Sequence, residues 1–326
     1  MKKKSKVLIF KVASSKIIGS GHIYRCLKIA ERIKIKKIYF FTNNFKGNFN
    51  FLIKNFKIFI LNNNENNFNI NLDLDETITY LKSIEEEKIF IVDNYFHNLN
   101  YQKKISKYVD KLIIIDDYLK KNFCDMYINE NFYIKKPNKN LFLKKNCKKY
   151  IGPNYSFIIS KKQKKIKQKK INLFLFFGGS DLYGLSLKII KYLKEDKNLY
   201  FRLVLNDLRL KKKIKDLKIK NLKIYKQNTN FYNILRYCNF AIISGGSTVW
   251  DILYNNIPLI TIPIAKNQIR NLKDLNSQNK IFLLNKIKNK KNFTNFFYKS
   301  LYNKKISKLN IGCIGIKKIV KAIENL

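Results

Sequence analysis

Arginine is scarce in this chain, although basic residues are abundant. The 326 residues include 67 lysines and arginines against 22 acidic residues, a formal net charge of +45, yet arginine occurs only at positions 25, 32, 202, 209, 236 and 270. A charge of this size ordinarily indicates a nucleic-acid or anionic membrane partner. Nucleic-acid recognition favours the arginine fork, however, and these basic residues form no clustered motif. We therefore interpret the charge as codon bias and expect no specific nucleic-acid partner.

Cysteine patterns and long apolar runs are also missing. The five cysteines are widely separated and none has CxxC spacing: Cys26, Cys124, Cys147, Cys238 and Cys313. From this pattern we expect neither a disulfide framework nor a zinc site, and a reducing compartment. No stretch approaches the ~18 uninterrupted apolar residues of a membrane span, and the basic start has no small-residue cleavage site. We expect a cytoplasmic protein, with peripheral attraction to acidic lipid as an open alternative.

Short apolar runs alternate with helical patterns in both halves of the chain, which is typical of α/β proteins with parallel sheets. In the first half we predict strands at 6–10, 37–41, 57–61, 89–92 and 112–115, with a helix over 23–33. In the second half we predict strands at 171–177, 200–205, 222–225, 240–243 and 257–263, with a helix over 249–254. The lysine-rich segment 160–170 has no apolar face and is expected to be a linker. We therefore expect domains at 1–159 and 171–326, with the last helix of the chain as a candidate to pack back on the first domain.

A histidine follows the first predicted strand on a glycine-bracketed turn, Gly19-Ser20-Gly21-His22, with Arg25 three residues later. Glycines allow a tight turn and close approach of a ligand, and a helix N-terminus favours an anion. The pattern indicates a catalytic base at a strand-to-helix switch. A histidine that merely caps the helix is the alternative.

Acidic residues follow two other predicted strands of the first half. Asp93 lies in Val92-Asp93-Asn94-Tyr95, and Asp116-Asp117 follows Ile115. Ligands of open α/β sheets collect beyond the carboxyl ends of strands, so we expect these acids at the same edge as His22. For any one of them, a role as helix N-cap is an equal alternative.

The second half contains loops suited to a phosphate. Ser244-Gly245-Gly246-Ser247-Thr248 lies between a strand and a helix and offers backbone N–H groups and hydroxyls to a diphosphate without a lysine or metal. Asp251 is placed to accept hydrogen bonds from ribose hydroxyls. A close-packing turn of small residues, with Asp251 as a first-turn acid, is the alternative. Gly178-Gly179 and Asn267-Gln268 follow two other strands.

Taken together and in order, these segments resemble the UDP-sugar hydrolases of bacterial pseudaminic acid biosynthesis. The segments that carry the resemblance are IGSGHIYRCLKIA (18–30), VDNY (92–95), IDDYLKKNFCDMYINEN (115–131), YIGPNYSFI (150–158), FGGSDLYGLSL (177–187) and SGGSTVWDILYNNIPLITIPIAKNQ (244–268). The resemblance implies a GT-B-like fold of two Rossmann-like parallel-sheet domains facing a cleft, shared with the peptidoglycan N-acetylglucosaminyltransferase.

The resemblance also implies roles for individual residues. It makes His22 the catalytic base in the interdomain cleft, beside Gly19 and Gly21, and places Arg25, Asp93 and Tyr95 with Asn267 and Gln268 on the substrate side. It assigns the UDP moiety to Gly178, Gly179, Ser244, Gly245, Gly246, Ser247, Thr248 and Asp251. The implied reaction is attack of water on the anomeric carbon of a UDP-linked 2,4-diacetamido-2,4,6-trideoxy sugar, with inversion and with UDP leaving; no metal and no cofactor are implied.

Three positions depart from the family. The family usually carries an arginine and then an acid where this chain has Lys11 and Ala13, and Asp251 stands where the family has a glutamate. An acid at position 13 would be placed to orient His22, so we expect its absence to lower base strength or to change the preferred sugar. The alternatives to hydrolysis are a glycosyltransferase of the same fold and a non-catalytic basic anion or nucleic-acid binder.

Overall fold

The structure, a computed structural model, describes residues 5–135, 137–226, 231–303 and 306–326. The chain divides into two compact units. The first contains Met1–Asn131, Lys135–Phe157 and Ile314–Leu326, and the second contains Phe132–Ile134 and Ile158–Cys313.

The first unit is built on a parallel sheet of seven strands. The strands are β1 (Lys6–Val12), β2 (Lys37–Asn43), β3 (Lys57–Leu61), β4 (Glu87–Asp93), β5 (Lys111–Ile115), β6 (Met126–Asn129) and β7 (Lys148–Ile151). Their order is β3-β2-β1-β4-β5-β6-β7, with every neighbouring pair parallel. All strands therefore end at one edge, where β1, β4, β5 and β6 are consecutive neighbours.

Apolar side chains cover both faces of this sheet. Phe10 and Phe40 belong to the core on one face, where helix α1 (Gly21–Ala30) also packs. Ile9 and Phe41, which are the chain neighbours of Phe10 and Phe40, belong to the core on the other face. Because successive side chains of a strand point to opposite faces, a strand buried on both faces requires a nearly continuous apolar run. The other helices of this unit are α2 (Ile70–Lys82), α3 (Leu99–Ile105) and α10 (Gly315–Glu324).

The second unit repeats this plan with six parallel strands in the order β10-β9-β8-β11-β12-β13. The strands are β8 (Ile171–Phe176), β9 (Leu199–Val204), β10 (Leu222–Tyr225), β11 (Phe240–Ile243), β12 (Leu259–Thr261) and β13 (Phe282–Leu283). The helices are α4 (Leu185–Leu193), α5 (Leu208–Lys215), α6 (Phe231–Leu235), α7 (Thr248–Tyr254), α8 (Lys266–Ser277) and α9 (Lys290–Leu301). As in the first unit, a core of apolar side chains covers each face of the sheet.

The predicted strands are all present, with small shifts at their ends, and the α/β class with two parallel sheets is confirmed. Three strands were missed: β6, β7 and β13. The first helix begins at Gly21 and not at 23, so His22 lies in its first turn. None of the helices in the described part of the chain has the length and apolar character needed to cross a bilayer.

Candidate active site

The turn between β1 and α1 presents His22. The Ser15 hydroxyl accepts hydrogen bonds from two backbone N–H groups of the turn, each at 3.0 Å. The Gly19 N–H closes the turn on the Ser15 carbonyl at 2.8 Å. Gly19 has φ +84°, a left-handed conformation that favours glycine. Helix α1 begins two residues later, which fixes His22 at the carboxyl edge of the sheet.

His22 pairs with Asp93, the last residue of β4. Val12 and Asp93 are register partners across β1 and β4, so the acid lies at the edge where β1 ends. Nδ1 of His22 lies 2.5 Å from Oδ1 of Asp93, and both residues are buried, at 3% and 0% exposure. Because a carboxylate can only accept, Nδ1 carries the proton, which leaves Nε2 as the basic nitrogen. The Tyr95 ring packs edge-on against the imidazole, with centroids 4.5 Å apart.

Arg25, one helical turn after His22, binds two acids at once. Its Nε and Nη2 donate to the two oxygens of Asp93 at 3.0 and 2.6 Å, and Nη1 donates to Asp117 at 2.8 Å. Glu130, directly after β6, lies 4.0 Å from Nη1. Nη2 also lies 3.2 Å from Nδ1 of His22. We regard that approach as a contact between two donors, since the shorter Asp93 contact already uses the Nδ1 proton.

These charges shift the pKa of the groups around Arg25. Burial favours the neutral acid at Asp117, but the Arg25 guanidinium, together with His22 and the Tyr95 hydroxyl, lowers the pKa of Asp117 to about 2. Burial, reinforced by the negative charge of Asp117, raises the pKa of the Tyr95 hydroxyl well above its ordinary value. Tyr95 donates to Asp117 at 3.0 Å. Tyr95 is thus a neutral donor and Asp117 an anion near neutral pH.

The acids predicted at this edge divide into two roles. Asp93 and Asp117 both bind Arg25, whereas Asp116 accepts the backbone N–H groups of Tyr118 and Lys120 in the turn after β5. Among the described residues no helix follows Asp116 before β6, so it is not a helix N-cap; it holds the turn between β5 and β6 and also accepts the Tyr127 hydroxyl at 3.0 Å. Glu130 was not predicted because β6 was missed. The signal that could have identified Glu130 is its place just after a short apolar run, as with the acids at the ends of β4 and β5.

In the second unit, the three predicted loops lie at one edge of the sheet. Gly178-Gly179 follows β8, residues 244–248 follow β11, and Asn267-Gln268 begins helix α8 beyond β12. Strand β11 is the direct neighbour of both β8 and β12. The loops are thus brought together within this unit.

The glycines of the 244–248 loop differ in their surroundings. A Cβ on Gly245 would lie 2.5 Å from Cδ1 of Leu272 and 2.9 Å from Cβ of Gln268, so helix α8 packs directly on this glycine. Oε1 of Gln268 accepts the Gly245 N–H at 3.2 Å and the Ile264 N–H at 2.9 Å. At Gly246, an added Cβ would meet none of the described atoms within 4 Å. Gly245 thus follows the close-packing alternative, with Gln268 as its brace.

Two buried acids in the second unit accept hydrogen bonds from other residues of that unit. Asp181 accepts the N–H groups of Leu185 and Ser186 at 2.9 Å each, which occupies the N-terminus of α4. Asp251, in α7, is buried and accepts the Tyr232 hydroxyl at 2.5 Å. Within the described ranges, no group of three or more His, Cys, Asp or Glu side chains is placed to hold a metal ion.

The comparisons with known proteins agree with this architecture. The chain is 27% identical over 268 residues to the UDP-2,4-diacetamido-2,4,6-trideoxy-beta-L-altropyranose hydrolase of Campylobacter jejuni, which covers 80% of this chain and 93% of the relative. No model of a protein family matches the chain.

Solved structures match almost the whole chain. MurG of Acinetobacter baumannii aligns with a TM-score of 0.68 at 12% identity, over 98% of this chain and 100% of that one. The UDP-GlcNAc 2-epimerase of Neisseria meningitidis, bound to UDP-GlcNAc, aligns with a TM-score of 0.63 at 11% identity, over 98% and 100%. At such identities the likeness shows the fold alone. The chain is similar in sequence to the Campylobacter hydrolase and carries the GT-B-like fold.

Proposed function

We propose that the protein hydrolyses a UDP-linked 2,4-diacetamido-2,4,6-trideoxy sugar to the free sugar and UDP, as a step of pseudaminic acid biosynthesis. The observation that carries the proposal is the buried pair of His22 and Asp93 at the carboxyl edge of the first sheet. The similarity to the Campylobacter hydrolase supplies the substrate class.

In the proposed reaction, Nε2 of His22 takes a proton from water as the water oxygen attacks the anomeric carbon. Asp93 accepts the Nδ1 proton, holds the ring in one tautomer and stabilises the imidazolium that forms. The bond between the anomeric carbon and the diphosphate oxygen breaks, and its electron pair leaves with UDP. The configuration at this carbon is inverted, because water attacks opposite the leaving group.

We assign the departing UDP to the second unit. Loop amides stabilise charge that develops on a leaving diphosphate. The N-terminus of α4 is occupied by Asp181, and the N–H groups of Ser244 and Gly245 are occupied by Phe176 and Gln268, so we assign the diphosphate to residues 246–248 and 178–179. Asp251 is proposed to accept from the ribose while Tyr232 holds its carboxylate in place. Asn267 is assigned to the sugar, and Gln268 supports the loop by binding Gly245.

The test is release of UDP from a panel of UDP-diacetamido sugars with no acceptor present. We expect release by the wild type. His22→Asn should lower turnover by roughly 10²–10⁴, the usual contribution of an acid–base group, with UDP affinity near wild type. Release only after an acceptor is added would identify a glycosyltransferase and contradict the proposal. Salt-sensitive anion binding with no turnover and no dependence on His22 would identify a basic binder.

A further inference from the structure

A second histidine–carboxylate cluster lies in the first unit, on the sheet face opposite α1. Lys11, Asp73 and His97 form it, and their side chains are at most 1% exposed. Nζ of Lys11 donates to Oδ2 of Asp73 at 2.7 Å, and Nε2 of His97 lies 3.0 Å from Oδ1 of the same carboxylate. His97 stacks on the Tyr101 ring with centroids 3.8 Å apart.

Asp73 bridges the two segments that carry the candidate active site. Lys11 lies near the end of β1, directly before the turn that leads to His22. His97 lies in the loop after β4, four residues beyond Asp93 and two beyond Tyr95. Asp73 itself is fixed in the first turn of α2, where the helix dipole favours an acid. The Asp73 carboxylate thus connects the end of β1, where the turn to His22 starts, with the loop that follows β4.

Stability alone explains this cluster poorly. The cost of desolvating a buried ion pair offsets much of its Coulomb energy. Apolar side chains of similar volume often stabilise a folded protein equally well or better. The same face of β1 carries Val7 and Ile9 in an apolar core. Moreover, within the described residues Nδ1 of His97 is buried with no hydrogen-bond partner, which is an added cost.

We infer that Lys11, Asp73 and His97 are positioning residues that hold the loop after β4 against β1, so that Asp93 meets Nδ1 of His22. None of the three touches His22 in any described contact; they act through the backbone of the two segments. Loss of the Asp73–His97 bond should release the loop from β1 and lengthen the contact between His22 and Asp93.

The inference can be tested by NMR of the His22 imidazole, since His22 and His97 are the only histidines in the sequence. His97→Phe keeps an aromatic ring on Tyr101 but removes the bond to Asp73. His97→Gln retains a side-chain donor for Asp73. Tyr101→Phe is the matched control, because it removes only the Tyr101 hydroxyl, which contacts Thr77 at 3.3 Å and also interacts with Asp73, and it keeps both Lys11 and His97 on the Asp73 carboxylate. His97→Met replaces His97→Phe if the latter does not fold.

We expect the wild type to show a low-field Nδ1 proton for His22 that exchanges slowly with water. His97→Phe should lose or broaden this signal, whereas His97→Gln and Tyr101→Phe should retain it. An unchanged His22 signal in a folded His97→Phe or His97→Met protein would overturn the inference, as would absence of the signal in the wild type.

A kinetic measurement extends the test and rests on the proposed function. We expect His97→Phe to lower kcat by between about 10- and 10²-fold with UDP affinity unchanged, since a misplacement of about 1 Å has effects of this size. His97→Gln should restore most of the rate. The NMR result does not depend on the reaction, so a wild type that releases no UDP would contradict the proposed function while leaving the positioning role to be decided by the spectra.

Discussion

His22 receives its orienting carboxylate from β4, across the sheet, and not from its own loop. Asp93 contacts Nδ1 at 2.5 Å, while Ala13, where the family usually has an acid, is buried at 1% exposure. Asp93 thus supplies an orienting carboxylate that does not depend on position 13, while the effect of Ala13 on base strength and sugar preference stays a prediction. His22 and Asp93 were both predicted from their place after strands, but their bond was not, since a sequence gives no side-chain direction.

Asp93→Asn should lower kcat more than it lowers UDP affinity. An amide at this position can donate to Nδ1, which would favour the tautomer with the proton on Nε2 and remove the basic nitrogen from the reaction. We expect turnover to fall by about 10²–10⁴, measured as UDP release at saturating substrate. Asp116→Asn is the matched control, because Asp116 caps a turn. Equal rates in the two variants would contradict the assignment of Asp93.

His97 should make folding sensitive to mild acid. Burial lowers its pKa below the ordinary value of about 6.5, although Asp73 opposes this effect. As pH falls below about 6.5, the unfolded chain gains a proton that the folded chain does not, so the free energy of unfolding decreases by at most about 1.4 kcal/mol per pH unit. Urea denaturation between pH 8 and 5, at roughly half-unit steps, should show a steeper decline in the wild type than in His97→Phe. Parallel curves would contradict this, since His22 is common to both proteins.

At the scale of elements, apolar runs predicted the long central strands well and the short ones poorly. Strand β7 (Lys148–Ile151) begins with two exposed lysines because it is an edge strand, so it offers no apolar run to detect. Strand β6 has four buried residues but ends in Asn129, and it was missed together with Glu130 behind it. The glycine loop at 244–248 was predicted, but its packing on α8 depends on Leu272 and Gln268, which lie more than 20 residues away.

Gly245→Ala should destabilise the second unit. The added Cβ would lie 2.5 Å from Cδ1 of Leu272, which can rotate, but also 2.9 Å from Cβ of Gln268, which is fixed to the backbone of α8. Helix α8 would therefore have to shift, and overpacking of this kind typically costs about 1–3 kcal/mol. Gly246→Ala is the control, because its Cβ would meet no described atom within 4 Å. The free energy of unfolding from urea titration should fall for the first variant only. Equal stabilities would show that the loop adjusts without displacing α8.

At the scale of the molecule, the sequence predicted the GT-B-like fold because six separate segments resemble one family in the same order. The proposed chemistry divides between the units, with the base and its carboxylate in the first and the glycine loops in the second. The interactions that hold the His22–Asp93 pair, including Arg25 and the buried Lys11–Asp73 pair, could not be predicted, because they join residues 62 to 92 positions apart.

In the proposed reaction, water activated by His22 attacks the anomeric carbon and not the phosphorus. Hydrolysis in water enriched in oxygen-18 tests this site of attack most directly, with the mass of the released UDP as the readout. UDP is the product to measure because the anomeric oxygen of a free sugar exchanges with water. We predict UDP of unchanged mass, since cleavage between carbon and oxygen leaves the original bridging oxygen on the diphosphate. UDP carrying one oxygen-18 atom would place the attack at phosphorus and contradict the account.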